Sequence, residues 1–498
     1  MNAFYADPAV RQRLIEFLGG DTLEHATAVY LTHSDGCQFQ RSGLRPPADL
    51  PGFLDEELDI ARSLADSSSL LLHLDVEYVN FDSPGEAFVD PWRTFDLQEP
   101  VVRVVESLLL AWGIAPLHLI TGQGHHFVWR VRLDSAIADR LVALSPAPDL
   151  IEACMARRGS GIGAAITHRQ QRAFAGISLL MEFLAHRIKW ESAPHSTLPV
   201  EITAVHVGPC ATRQREMISI DISEYGDPLV TRMIRMPFTH YLKPWISGLA
   251  RNLGIEDEIS RFRAIPLFEM DVRQAIKFRQ DEEDVKELAR RAGVKIPQHE
   301  EGTAHLLEDY LASSLRRFHV SYYAVEQDPE ALWTETYGRT PLDPLPPCVQ
   351  ELLIWPNDRL LKPAGIQLVS RTLLAESWHP RHIAGLIRSK FSNPAHGWGI
   401  DWQDYEPGTR ADFYTRLFVG QLATGVDQLV DFNCRSIQEK GFCQIDTANI
   451  LPPALCYETL DHWLIHRLLL STPHPRRYRR NPAPRIRSHR SLLVSQAP

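Results

Sequence analysis

Leu70-Leu-Leu-His-Leu-Asp75-Val-Glu77-Tyr-Val79 is the stretch on which the fold turns. Its apolar first half gives way to strict alternation, the pattern of a strand that leaves a buried core and opens one face to solvent. Asp75 and Glu77 stand two residues apart, so on a strand both carboxylates leave the same face.

Working outward, Glu99–Trp112 carries Val101, Val104, Val105, Leu108 and Leu109 at helical spacing. His118-Leu-Ile120 reads as a short strand, Thr121-Gly-Gln-Gly-His-His126 as a tight turn, and Phe127–Leu133 as a returning strand. Val200–Val207 and Met217–Ile222 read as further strands, while residues 1 to about 65 look mostly helical around a loop at Arg41–Pro51. Strands interleaved with helices predict an α+β domain with a mixed sheet over 1–250. A charged, helix-rich connecting region follows over 251–340, ending at the Pro-rich joint Leu342–Pro347. The pattern is helical again over 341–470, most clearly at Arg359–Ser377 and Tyr414–Val430, and no internal repeat is visible.

At 498 residues the chain is long enough for two or three domains. Its 44% hydrophobic and 23% charged residues are ordinary for a globular protein. No apolar run reaches the roughly eighteen residues of a membrane span. Asp7, Arg11, Arg13 and Glu16 interrupt any apolar leader segment. Seven cysteines, an odd number, do not suggest a secreted disulfide framework, so a cytoplasmic location is expected. The net charge of −10 argues against wholesale coating of nucleic acid but leaves room for a local basic groove. Seven arginines and no acid fall within residues 471–498, a Pro- and Ser-rich tail expected to be disordered. That tail suits either a solvated terminus or a nucleic-acid contact.

Three short segments carry the chemistry. Asp75 and Glu77 on one strand face repel each other unless a cation lies between them, and hard ions such as Mg²⁺ or Mn²⁺ take oxygen ligands of this kind. The glycines of Thr121-Gly122-Gln123-Gly124-His125-His126 allow a tight turn that can bring N–H groups to an anion, with Thr121 and His126 adding donors. Asp221 sits in the strand-like Ile218-Ser-Ile-Asp-Ile222, with Glu224 and Asp227 as alternative acids nearby. Arg235, His240 and Lys243 follow within nine positions as candidate phosphate contacts. Each segment alone also fits a bland role: a solvated acidic edge, a hairpin turn, a basic loop.

Their order resembles the three motifs of the archaeo-eukaryotic primase superfamily, in its primase-polymerase branch. Those motifs are a strand with D-x-E, a glycine-containing turn ending in histidine, and a strand-borne aspartate. The resemblance spans about residues 70–245. It implies a primase-type mixed-sheet catalytic domain in which Asp75, Glu77 and Asp221 hold Mg²⁺ or Mn²⁺. It further implies that Thr121, Gly122, Gly124, His126, Arg235, His240 and Lys243 receive the incoming nucleoside triphosphate. The activity implied is template-directed nucleotidyl transfer on single-stranded DNA, making and extending primers, with a helicase or other replication protein as a candidate partner. The alternatives are a catalytically inactive nucleic-acid-binding replication or defence protein and a metal-dependent nuclease using the same acids.

Cys348, Cys434, Cys443 and Cys456 are separated by 85, 8 and 12 residues. Four thiolates suit either Zn²⁺ or an iron–sulfur cluster. The segments Leu345-Pro-Pro-Cys348, Phe432-Asn-Cys434 and Gly441-Phe-Cys443 resemble the C-terminal domain of the large primase subunit. That resemblance implies a 4Fe–4S cluster on these four cysteines, with zinc as the alternative, and a chain that fuses the work of two subunits.

Overall fold

The computed structural model describes residues 3–33, 43–205, 214–398 and 405–443. The basic tail 471–498 and Cys456 lie outside the described residues. The chain divides into two compact units. One comprises Met1–Ala204, Cys210–Leu311 and Asp404–Glu406, and the other Val205–Pro209, Ala312–Gln403 and Pro407–Pro498. The division falls inside the stretch expected to be a helical connecting region.

The first unit is α+β, with strands β1 (Leu31–His33), β2 (Ile60–Ser63), β3 (Ser69–Asn80), β4 (Leu117–Ile120), β5 (Gly124–Arg132), β6 (Val200–Ile202), β7 (Glu216–Asp221), β8 (Met233–Arg235) and β9 (Ile265–Pro266). Six of them form a mixed sheet in the order β6-β7-β3-β5-β4-β9, in which β6 and β7 are parallel and the other neighbours antiparallel. The strand expected at Leu70–Val79 is thus the long inner strand β3. It is buried on both faces up to Leu74, and beyond it the odd positions Asp75, Glu77 and Val79 are half-buried while Val76, Tyr78 and Asn80 stay buried.

The helix expected at Glu99–Trp112 begins earlier and runs Pro91–Ala111. Asp90 caps it by accepting from the Arg93 N–H at 3.1 Å, and Pro91 occupies the first turn, where its missing N–H costs nothing. This helix covers the Val76 face of the sheet, where the Phe95 and His125 ring centroids are 5.1 Å apart. The long helix His168–Ser192 starts with a Thr167/Gln170 capping box and packs Phe174 against Tyr225 at 5.2 Å.

Three expectations are corrected. The described residues of 1 to 65 are not mainly helical: β1 and β2 join β8 in a second, three-stranded antiparallel sheet, order β1-β2-β8. Those strands are too short for their alternation to register, and their partner lies some 170 residues away in sequence. The turn at 121–126 is tighter than expected, because β5 already begins at Gly124 and carries both histidines. Of the expected strand 200–207, the described residues contribute Val200–Ile202 to the sheet.

The described part of the second unit is helical. Pro347, Pro363 and Pro380 each open a helix, at Pro347–Ile354, Pro363–Ala375 and Pro380–Phe391. Pro363 breaks the expected helix 359–377 into Asn357–Leu361 and Pro363–Ala375. The helix expected from Tyr414 runs Pro407–Ala423. Buried Asp412 accepts the hydroxyls of Tyr322 (2.9 Å) and Tyr323 (2.6 Å) and pairs with Arg381 and Arg416.

Candidate functional site

The strand register brings the sequence-predicted acids together. Asp75 on β3 lies opposite His126 of β5 on one side and opposite Asp221 of β7 on the other. Glu77 lies opposite Gly124 and Ser219. Alternation therefore puts Asp75, Glu77, Asp221 and His126 on one sheet face, opposite the face covered by Phe95. Adjacent His125 points the other way. It is buried, its Nδ1 is 2.9 Å from His118 Nε2, and burial together with His118 drives its pKa well below the usual histidine range.

Asp75 Oδ2 is 3.4 Å from His126 Nε2, while its Oδ1 is buried and has no hydrogen-bond partner. Burial works against the Asp75 charge, but His126 and then His73 override it and hold this carboxyl below the usual range. The other two acids behave oppositely. Burial, then the Asp75 charge, pushes Glu77 up to about 8, although Gln123 Nε2 donates to Glu77 Oε2 at 2.9 Å. Burial and Asp75 also raise Asp221, whose Oδ1 accepts the Ser223 N–H at 2.8 Å. One carboxylate is thus ionised beside two that resist ionisation, as expected for like charges crowded on one face.

Lys243 answers that charge. Its pKa is raised first by the Tyr241 phenol, against burial, and then by Glu77 and Asp75. The other expected phosphate contacts are held elsewhere. Arg235 is ion-paired with buried Asp59 and lies 4.2 Å over the Tyr241 ring. Buried His240 has Nε2 3.2 Å from Arg263 Nη2, and burial and that guanidinium lower it to about 4.

The glycine turn is shaped by packing. Thr121 N and Oγ1 both donate to the Gly124 carbonyl, at 2.9 and 3.1 Å. A Cβ at Gly122 would lie 2.1 Å from the Tyr241 ring, and one at Gly124 would lie 2.1 Å from the Val76 carbonyl oxygen. Close approach therefore requires glycine at both positions. Buried Arg279 donates to the Thr121 carbonyl and stacks on Phe262 at 4.2 Å, and burial lowers it to about 9.

Of the alternative acids, Asp227 pairs with Arg232, and Glu224 accepts from His73 Nδ1, 2.9 Å from each carboxylate oxygen. His73 was legible as a site residue, since it stands two positions before Asp75 on the same strand. Gln123, Tyr241 and Arg279 had no signal beyond their neighbourhood in sequence.

As arranged, Asp75 is turned to His126. Among the described residues no group of three or more His, Cys, Asp or Glu is gathered so as to hold a metal ion, and that statement includes Cys348, Cys434 and Cys443. The carboxylate set nonetheless fits a hard divalent cation: an acceptor-only oxygen of Asp75 is buried without a donor, and burial and the Asp75 charge disfavour the anions of Glu77 and Asp221. The backbone places Asp75 and Asp221 on paired positions of β3 and β7, with Glu77 two positions along β3 on the same face. Among the described residues no helix is long and apolar enough to cross a membrane. No family model, curated protein or solved structure matches the chain.

Proposed function

We propose that the chain is a template-directed nucleotidyltransferase of the primase-polymerase kind, joining nucleoside triphosphates on single-stranded DNA. The observation that carries the reading is the face shared by Asp75, Glu77 and Asp221, with a buried orphan oxygen and Lys243 beside it. Asp75, Glu77 and Asp221 would hold Mg²⁺ or Mn²⁺. Such ions lower the pKa of an attacking hydroxyl and neutralise a triphosphate and its leaving pyrophosphate. The chain's own part is positioning and charge. Gln123 orients Glu77, His126 steadies Asp75, and Lys243 offers a cation to phosphate oxygens next to the acids. Arg279 pins the turn that carries Gln123.

The reading is tested by incubating the purified chain with unlabelled single-stranded DNA, labelled nucleotides and Mg²⁺ or Mn²⁺. Short labelled products are expected. Shortened template without products would indicate a nuclease, and neither outcome would leave a binding protein. The resemblance of the cysteine segments carries a second, separable proposal: a 4Fe–4S cluster on Cys348, Cys434, Cys443 and Cys456, giving about four irons per chain in anaerobic protein. Zinc in place of iron would keep the ligands and refute the cluster.

A further inference from the structure

We propose that His73 supplies a nitrogen ligand to the divalent cation of the Asp75–Glu77–Asp221 face, oriented for that role by Glu224. The inference rests on the reading above for the presence of a cation, and not for the reaction.

His73 leaves β3 on the same face as Asp75 and Glu77, and its imidazole is buried. Its Nδ1 faces both oxygens of Glu224 at 2.9 Å, so Nδ1 carries a ring hydrogen, and a cation that displaces any proton from Nε2 finds the lone pair there. That Nε2 is buried and has no hydrogen-bond partner, like Asp75 Oδ1 on the same face. Two buried polar atoms without a partner on one face, a ring nitrogen and a carboxylate oxygen, are what a cation satisfies and a core does not. The backbone is fixed as well: the Tyr225 hydroxyl accepts from the His73 N–H at 3.0 Å and donates to its carbonyl at 2.8 Å. A histidine that gives its other N–H to a carboxylate is the usual way a metal-bound imidazole is held. A purely structural His73–Glu224 pair would leave Nε2 without a partner on the strand face that carries the acids.

A mixed nitrogen and oxygen donor set favours Mn²⁺ over Mg²⁺, which binds nearly oxygen-only sites. The probe is therefore MnCl₂ added to the full chain, with affinity read from the free-ion electron paramagnetic resonance signal and nitrogen ligation from ¹⁴N modulation of the bound ion's echo. Wild type is expected to show ¹⁴N modulation. His73→Gln should lose it and bind Mn²⁺ about 10- to 100-fold more weakly, while competition shows a smaller loss for Mg²⁺. Glu224→Gln keeps the imidazole and should weaken Mn²⁺ binding about tenfold. His126→Gln should retain the modulation, which excludes that ring as its source. Bound Mn²⁺ without ¹⁴N modulation, or modulation that survives His73→Gln, overturns the proposal, as does a wild-type chain that binds no Mn²⁺. Modulation of the expected pattern in a chain that makes no product would uphold the ligand and sink only the polymerase reading.

Discussion

Glu77 offers the sharpest physical test of the crowded carboxylates. In the folded chain its proton is held up to about 8, against an ordinary 4.5. The folded state therefore binds this proton more tightly than the unfolded state. The stability linked to Glu77 is full below about pH 4.5 and is lost as pH rises towards 8. At about 1.4 kcal/mol per pH unit the interval sets a ceiling of about 5 kcal/mol. Glu77 is only half-buried, and water screens a group so placed, so roughly 2 kcal/mol is expected. The perturbation is Glu77→Gln, which keeps the shape and cannot ionise. Urea unfolding of both proteins in chelator, from pH 5 to pH 9, isolates the effect as the difference between them. Wild type should lose about 2 kcal/mol relative to the variant across that range, and Mn²⁺ at pH 8 should restore wild type alone. Parallel pH curves for the two proteins would refute the claim that Glu77 is held protonated by its neighbours.

His126→Ala should raise the nucleotide KM about tenfold, the worth of the charge-assisted phosphate contact that the motif resemblance implies for this ring. His125→Ala should leave KM unchanged and cost about 2 kcal/mol of stability, because that ring packs in the core against Phe95. Gly122→Ala, driven into the Tyr241 ring, should destabilise by about 1–3 kcal/mol in thermal or urea unfolding. In the second unit, Asp412→Ala withdraws a carboxylate from Arg381, Arg416 and two tyrosine hydroxyls, and should cost about 3–5 kcal/mol in the same assay.

What was legible in the sequence was local. The period-two alternation after Leu74 identified β3 and the shared face of Asp75 and Glu77, and the proline-opened helices of the second unit follow from their own residues. The pairing of Asp75 with Asp221 spans almost 150 residues, and no local pattern encodes such a register. Nor does any local pattern encode the different partners of Asp221, Glu224 and Asp227, which are Ser223, His73 and Arg232 respectively. The three-residue strands β1 and β8 carry too little sequence to show a period. The turn's glycines are legible as conformational freedom, but the tyrosine ring and the β3 backbone pressed against them are not. The neighbours responsible, Tyr241 and Val76, lie 119 positions after Gly122 and 48 before Gly124.

Templated nucleotidyl transfer on the acidic face, as proposed, is put to the test by homopolymer templates. Single-stranded DNA of one base is offered with each labelled nucleotide in turn, in Mn²⁺, to wild type and to Asp75→Asn. Wild type should incorporate only the complementary nucleotide, and the variant should lose at least about a thousandfold in rate, some 4 kcal/mol of transition-state stabilisation. Incorporation indifferent to the template base, or undiminished by Asp75→Asn, would contradict templated transfer on that face.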